Sequence, residues 1–264
     1  MSQPYDVIDA IVIEEREPKL VRAQNGPLAY WCHKAFGKDP NQDAQYFNTA
    51  ANIFVSLDGI GSRDQSDIAA LTFAQHCQNV VRREGWITPE SMKEVHSGVH
   101  NSLKEQRIEG GTCYLLFGIH GRMVHIYHAG DVKLIILDEK HNKVFETKDH
   151  EELITEYFWE KRKVITNSVG FHRLGEVVLD TFPLKEGYRL IAASDGLWKF
   201  CPVAEVVDLA REKEAREALD TLATTAIQRR TPLGNGDNIN LFVYDLMTLS
   251  TPGLSRMVFS TILI

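Results

Sequence analysis

The sequence predicts an α+β fold in which β-sheets pack on each other and helices cover their outer faces. Three observations support this prediction. Strand-like runs, two helical stretches, further strands, further helices and a last strand follow one another along the chain. The spacing of apolar residues changes from two to between three and four at Asp64. With 44% apolar and 25% charged residues, the 264-residue chain can bury a substantial core and fits one large domain.

The first half contains strands followed by two helices. Runs rich in β-branched and aromatic residues predict strands at 7–13, at 28–36 and between 44 and 57. From Asp64 to Glu84 an apolar residue recurs every three or four positions, which predicts an amphipathic helix. Thr88-Pro89 combines a capping residue with proline in the first turn, and therefore predicts the start of a second helix.

The second half begins after Gly110-Gly111. Three strand-like runs lie at 112–119, 123–129 and 132–137, and the tight turns between them predict an antiparallel meander. Further strands are predicted at 176–182, 188–194 and 238–246, and two helical stretches at 202–230.

Composition excludes several classes of partner. A formal net charge of −7 argues against binding to nucleic acid, which needs clustered basic residues. No apolar run approaches the ~18 residues that cross a bilayer, and the first residues lack a signal-peptide pattern. The cysteines are far apart, which favours buried thiols over a disulfide or a nucleophile. We therefore expect a cytoplasmic protein with neither a nucleic acid nor a membrane as partner.

Aspartates recur where predicted strands begin or end. Asp58-Gly59 and Asp195-Gly196 each follow an apolar strand, and the others are Asp43, Asp131 and Asp237. Packed sheets could bring these carboxylates to one rim, where an all-oxygen cluster suits Mg²⁺ or Mn²⁺. Asp is also common in turns, so each residue alone could be a turn former. The repetition of the pattern favours the metal site.

Seven stretches together resemble the type 2C metal-dependent protein serine/threonine phosphatase family. They come in the family's order and spacing and span about residues 30–246; they are NQDA (41–44), FVSLDGIG (54–61), GGTCYLLF (110–117), YHAGDVKLIIL (127–137), ITNSVGF (165–171), LIAASDGLW (190–198) and GDNINLFVYD (236–245). The segment TKDHEEL (147–153) also resembles the element that opens the family's flap.

This resemblance implies a four-layer α-β-β-α sandwich, with two antiparallel sheets face to face and helices outside. Residues 1–264 would form a single phosphatase-like domain, with a flap-like subregion at about 138–168 and a C-terminal tail at 247–264. It also implies two Mg²⁺ or Mn²⁺ ions and a third, more weakly bound one.

The resemblance assigns roles to the aspartates. Asp58 would bridge the two metals, and the Gly59 carbonyl would ligate one of them. Asp195 and Asp237 would hold the other metal. Asp43 would orient metal-bound waters. Asp131 would help Asp195 to hold the third cation.

The sequence departs from the family pattern at three positions. Gln42 stands where the family usually has Glu, so we expect weaker binding of the second metal. Lys38 stands where an Arg commonly grips the substrate phosphate, and Lys attracts phosphate only as a point charge. Ile60 replaces a His found in many eukaryotic members, which indicates the bacterial-type branch.

The implied activity is hydrolysis of phosphoserine and phosphothreonine in proteins by a metal-bridging hydroxide. An alternative is a catalytically impaired phosphatase-fold module that binds phosphoproteins or regulatory partners, which Gln42 favours. Retention of Asp58, Asp195 and Asp237 favours the enzyme. A phosphomonoesterase for small molecules is a third alternative.

Overall fold

The computed structural model describes residues 6–35, 40–60, 64–157, 160–211, 213–230 and 236–247. Most of this part of the chain lies in two large antiparallel sheets and the helices that cover them. The four-layer sandwich that the family resemblance implies is therefore confirmed.

The first sheet has the strand order β1-β4-β5-β6-β7-β13, and β12 pairs with β6 beside that path. Its strands are β1 (Asp9–Val12), β4 (Asp43–Asn48), β5 (Ile53–Gly59), β6 (Gly111–His120), β7 (Met123–Ala129), β12 (Val169–Gly170) and β13 (Val178–Pro183).

The second sheet has the order β2-β3-β15-β14-β8-β9, so the last strand in sequence lies at its centre. Its strands are β2 (Lys19–Ala23), β3 (Gly26–His33), β8 (Lys133–Leu137), β9 (Lys143–Glu146), β14 (Arg189–Ala193) and β15 (Ile239–Asp245). A separate hairpin is formed by β10 (Glu151–Tyr157) and β11 (Glu160–Ile165).

Helices cover the outer face of each sheet. The apolar faces of α1 (Ser66–Glu84) and α2 (Pro89–Gln106) pack on the first sheet. The short α3 (Asp195–Trp198), α4 (Val203–Ala210) and α5 (Ala215–Arg230) pack on the second. Within the described ranges, no helix combines the length and apolar character needed to cross a membrane.

The start of α2 follows the sequence prediction. The Thr88 hydroxyl accepts a hydrogen bond from the Ser91 backbone N–H at 3.1 Å, and the Ser91 hydroxyl accepts one from the Thr88 N–H at 2.8 Å. These reciprocal bonds form a capping box, which satisfies two backbone donors that the helix itself cannot pair.

Aromatic side chains fill the space between the two sheets. Phe47, Phe54 and Phe117 from the first sheet contact Phe242 from the second, with ring centroids 6.2–6.4 Å apart. Side chains alternate along β5, so that Phe54 faces the other sheet while its neighbours Ile53 and Val55 face the helices. This central layer fixes the position of each sheet relative to the other.

The predicted meander is wrong in its third strand. β6 and β7 pair as an antiparallel hairpin, but β8 belongs to the second sheet, where it pairs with β14 and β9. Gly130-Asp131 therefore links the two sheets instead of closing a hairpin. Two tight connections look alike in sequence, although only one of them reverses the chain within a sheet.

Phe54→Ala should test how far the sandwich depends on the central aromatic layer. Phe54 is fully buried, so we expect the free energy of unfolding to fall by about 3–5 kcal/mol. Leu179→Ala on β13 is the control, because Leu179 is 38% exposed and should lose less than about 1 kcal/mol. Urea unfolding followed by tryptophan fluorescence measures both, and equal losses would contradict the assignment of the core.

Candidate metal and active site

Two of the predicted site residues face each other across the first sheet. Asp43 is the first residue of β4, Asp58 is the last but one of β5, and the register of the two strands makes them direct partners. Such partners have their Cβ atoms about 4.5–5.5 Å apart. The sheet therefore sets the spacing of these two carboxylates.

The second sheet contributes another two carboxylates. Asp195 begins α3 two residues after the end of β14, and Asp237 comes two residues before β15. The segments that carry them touch, because a Cβ on Gly196 would lie 1.8 Å from the Asn238 carbonyl oxygen. Only glycine permits this approach of the two backbones.

Asp131 lies in the connection from β7 to β8, between the two sheets. His150 holds that connection: its backbone N–H donates to the Gly130 carbonyl at 2.8 Å, and its Nδ1 accepts from the Gly130 N–H at 3.3 Å. The Asp-His element recognised in the sequence therefore lies beside Asp131, at the base of the β10–β11 hairpin.

Burial and mutual repulsion act on all of these carboxylates. Burial raises the pKa of Asp58 well above its usual value, and the charges of Asp195, Asp43, Asp131 and Asp237 raise it further, in that order. The five carboxylates thus converge on one edge of the sandwich.

Similar causes act on the neighbours of Asp58. Burial and then Asp237 raise the pKa of Asp195 to about 7. Burial raises the pKa of Asp43 well above its usual range, although the Ser194 hydroxyl lowers it by donating to Asp43 Oδ2 at 2.8 Å. Burial and then Glu151 raise the pKa of Asp131. Compensating positive charge would therefore stabilise the ionised forms.

Lys199 supplies one such charge. Its ammonium pairs with Asp195 Oδ2 and lies 2.9 Å from Asp237 Oδ2. Although burial lowers the pKa of Lys199, these two carboxylates raise it above its usual value. A cation therefore lies between the two carboxylates of the second sheet.

The donor set fits divalent cations of the Mg²⁺ or Mn²⁺ type, because it consists of carboxylate and carbonyl oxygens that need positive charge. In the described ranges, however, no three His, Cys, Asp or Glu side chains are placed to hold one ion together. Asp195 and Asp237 instead face the ammonium of Lys199. The chemistry of these residues thus fits divalent metals, and the Lys199 ammonium supplies the positive charge next to Asp195 and Asp237.

The remaining predicted residues differ in how closely the structure defines them. The Gly59 N–H donates to the Gln42 carbonyl at 3.0 Å, and a Cβ on Gly59 would lie 2.6 Å from that oxygen, so the two residues are in contact. Ile60 is half-buried against the central core. Lys38 lies outside the described residues, as does the tail from 248 onward.

A buried polar network joins the two sheets below the aspartates. Ser194 Oγ accepts from the Asn240 N–H at 3.0 Å while donating to Asp43. The Asn240 amide donates to the Ala44 carbonyl at 2.6 Å, and Gln45 Nε2 donates to Asn240 Oδ1 at 2.6 Å. This network holds Asp43 against the start of α3.

Lys199, Gln45, Asn240 and Ser194 were not predicted from the sequence as part of the site. Gln45 and Asn240 are polar residues within otherwise apolar strands, which is a signal for a buried hydrogen-bond network. Lys199 stands four residues after Asp195, the spacing at which side chains on one helical turn meet.

Asp195→Asn should stabilise the metal-free protein, increasingly so as pH rises. Folded Asp195 keeps its proton up to about pH 7, whereas an unperturbed Asp releases it near 3.8. Native protein therefore binds more protons than unfolded protein in this interval, and stability falls with rising pH. We expect the advantage of the variant over the wild type to grow by about 2 kcal/mol between pH 5 and pH 8.

Urea unfolding of chelator-treated protein measures this difference. Histidines such as His96, whose pKa burial lowers to about 4, contribute the opposite slope. They are common to both proteins and cancel in the comparison. Asp64→Asn, at an exposed position before α1, is the control and should show no growing advantage. A pH-independent difference for Asp195→Asn would contradict the repulsion described above.

Comparison with solved structures places the fold among bacterial serine/threonine phosphatases. No protein-family model matches the sequence, and no curated protein sequence is significantly similar to it. The phosphatase PstP/Ppp of Mycobacterium tuberculosis superposes with a TM-score of 0.67 at 17% identity, over 84% of this chain and 98% of that one. Stp1 from Staphylococcus aureus gives 0.67 at 18% identity, over 89% and 100%.

A third similar structure is PppA of Pseudomonas aeruginosa, described as a key regulatory component of a type VI secretion system. It gives a TM-score of 0.66 at 21% identity, over 82% of this chain and 95% of that one. The superpositions cover 95–100% of these three chains. The chain therefore has the fold of the bacterial serine/threonine phosphatases.

Proposed function

We propose that the protein is a bacterial-type member of the type 2C phosphatases that hydrolyses phosphoserine and phosphothreonine in proteins with Mg²⁺ or Mn²⁺. The observation that carries this proposal is the convergence of five carboxylates, from both sheets, on one edge of a phosphatase fold. A structural core needs no such cluster of repelling charges, whereas a centre for hard cations does.

The residues would divide among three cation positions. Asp58 and the Gly59 carbonyl, on β5, would hold one cation, with Asp58 shared by the second. Asp195 and Asp237 would complete the second position. Asp131 would contribute to a third. The crystal structure of the PstP catalytic domain holds two manganese ions, which supports the proposal by analogy.

Bound cations would supply Lewis acidity at the phosphate and a water activated for attack on phosphorus. The chain itself orients the reactants. Asp43, fixed on one oxygen by Ser194, can accept a proton or a water hydrogen bond at the other. Lys38 would attract the phosphate. Burial of Asp43 and Asp58 strengthens each of these electrostatic contacts.

The direct test is hydrolysis of an aryl phosphate, followed by a phosphothreonine peptide, with Mn²⁺, with Mg²⁺ and with excess chelator. We expect turnover with either metal and none with chelator. Turnover that survives chelation would overturn the proposal. Activity on the aryl phosphate without activity on any phosphopeptide would instead favour a phosphomonoesterase for small molecules.

A second candidate function is a module that binds phosphoproteins or regulatory partners without turnover. Two observations favour it: Lys199 pairs with Asp195 and Asp237, and neutral Gln42 adjoins Gly59. This candidate predicts binding of a phosphothreonine peptide and no hydrolysis at any Mn²⁺ concentration. The same assay, with peptide binding measured by fluorescence anisotropy, separates the two candidates.

Asp58→Asn should abolish most of the metal binding and turnover while the fold survives. It removes the charge that both cations would share, so we expect kcat to fall by about a hundredfold or more. Calorimetric titration with Mn²⁺ and the aryl phosphate assay measure the two effects, with Asp64→Asn as control. Unchanged Mn²⁺ affinity in the folded Asp58→Asn protein would rule out this metal site.

Gln42→Glu should tighten the weaker metal position. Glu would add a negative charge beside Gly59, and hard cations bind more tightly as the ligand charge rises. We expect the Mn²⁺ concentration for half-maximal activity to fall by about tenfold, since one added charge contributes on the order of 1 kcal/mol even in water. Superimposable activity curves for the two proteins would show that Gln42 does not face the cations.

A further inference from the structure

Lys199 is a positive charge built into the proposed metal centre. Its Nζ lies 2.9 Å from Asp237 Oδ2 and also contacts Asp195 Oδ2. The family resemblance assigns these two carboxylates to the same cation. Among the described residues, this lysine pairs with both.

Local structure directs Lys199 to this place. The Lys199 backbone N–H donates to the Asp195 carbonyl at 2.9 Å, which closes the single turn of α3. Residues four apart on such a turn lie on the same face, so the lysine side chain meets the aspartate that begins the turn. The contact therefore follows from the α3 turn itself.

The second carboxylate is held independently of the lysine. Arg230 donates to the Asp237 backbone carbonyl at 2.7 Å, and the Asn238 N–H donates to Asp237 Oδ1 at 3.1 Å. Gly196 brings the two backbones together. Asp195 and Asp237 would therefore stay close without Lys199, and their mutual repulsion would then be uncompensated.

The lysine approaches from the open side of the site. Its side chain is 51% exposed, whereas those of Asp195 and Asp237 are 19% and 29% exposed. A flexible four-carbon chain ending in water can move away without leaving a cavity in the core. The ammonium is thus a displaceable occupant of the space between the two carboxylates.

From these contacts we propose that Lys199 is a tethered counter-ion that occupies the Asp195–Asp237 position in the metal-free protein and must be displaced when a divalent cation binds there. This inference rests on the proposed function, because it concerns the same site. It makes metal binding at this position competitive with an internal ion pair. Metal loading at this position would then need a higher cation concentration than in a site without such a lysine.

The proposal has a thermodynamic consequence at each end of the exchange. In the metal-free protein Lys199 offsets the repulsion between two carboxylates, so its removal should destabilise that state. In the metal-bound protein the displaced Lys199 ammonium would still lie near a divalent cation and repel it. Removal of the lysine charge should therefore favour metal binding.

Calorimetric titration of the chelator-stripped full chain with Mn²⁺ tests the second consequence. Lys199→Met keeps most of the length of the side chain and removes the charge, and it should bind Mn²⁺ at least about tenfold more tightly than the wild type. Lys199→Gln is the alternative if the first variant folds poorly. Lys199→Arg keeps the charge and should bind like the wild type.

Lys133→Met is the matched control. Lys133 lies near the same edge, with Nζ 6.0 Å from the centroid of Trp198, but it pairs with Glu146 and Asp149 instead of the proposed ligands. Its loss should leave the Mn²⁺ affinity within about threefold of the wild type if contact with Asp195 and Asp237 is what matters. An equal gain from Lys133→Met would overturn the proposal in favour of a general charge effect.

Thermal unfolding at pH 8 in excess chelator tests the first consequence without any metal. The Lys199→Met variant should have a melting temperature several degrees below that of the wild type. Saturating Mn²⁺ should reduce or reverse this difference in melting temperature. Equal Mn²⁺ affinities, or a variant that is more stable in chelator, would overturn the proposal. A higher KM for aryl phosphate at unchanged Mn²⁺ affinity would also overturn it, because Lys199 would then be a substrate-binding residue.

Failure of the proposed function gives a different pattern. If neither protein binds Mn²⁺, the metal-dependent phosphatase is wrong and competition with the metal falls with it; the melting experiment then decides the counter-ion role alone. If both proteins bind Mn²⁺ with the expected difference but neither hydrolyses a phosphoester, the function fails and the inference about Lys199 stands.

Discussion

The main constraint on the structure is that it must hold mutually repelling carboxylates close together at one edge of the two-sheet sandwich. Asp43 and Asp58 come from one sheet, Asp195 and Asp237 from the other, and separation of the sheets at this edge would relieve the repulsion between their carboxylates. The aromatic layer around Phe242 opposes that separation through buried contacts. Packing far from the site thus makes the site's electrostatics possible.

The hydrogen-bond network below the aspartates supplies a more directional constraint. Ser194 and Asn240 belong to the second sheet and its border, while Gln45 and the Ala44 carbonyl belong to the first. Buried amides must find partners, so this network fixes the relative register of the two sheets as well as their distance. Asp43 lies at the end of this network, where the hydrogen bond from Ser194 fixes the orientation of its carboxylate.

Local patterns allowed much of the fold to be predicted. The helical period between Asp64 and Glu84 and the cap at Thr88 correspond to α1 and α2 within two residues. Five aspartates were placed at strand ends from the spacing of apolar runs alone, and the structure places them there. These features depend on nearest neighbours along the chain, which sequence periodicity reports directly.

Long-range pairing was less accessible. β2 has the sequence Lys-Leu-Val-Arg-Ala, in which apolar and polar residues do not alternate, and Leu20 is half exposed. Such a sequence does not predict the pairing of β2 with β3. The destination of β8 was missed because a two-residue turn does not specify which sheet the chain enters. The pairing of Lys199 with Asp237 spans 38 residues, and only the folded structure brings the two together.

The central position of β15 in the second sheet affects how the molecule assembles. β15 lies between β3 and β14 and pairs with both. The edge of β3 that pairs with β15 therefore has no partner strand until the chain has been synthesised as far as Asp245. Contacts between residues so distant in sequence are slow to form and leave strand edges exposed in the meantime. Two of the clustered aspartates depend on this last strand: Asp237 precedes β15, and Asp195 follows β14, which pairs with β15. A nascent chain that has emerged only as far as α5 would therefore lack Asp237 and the strand that follows it, and the cluster of aspartates would be incomplete.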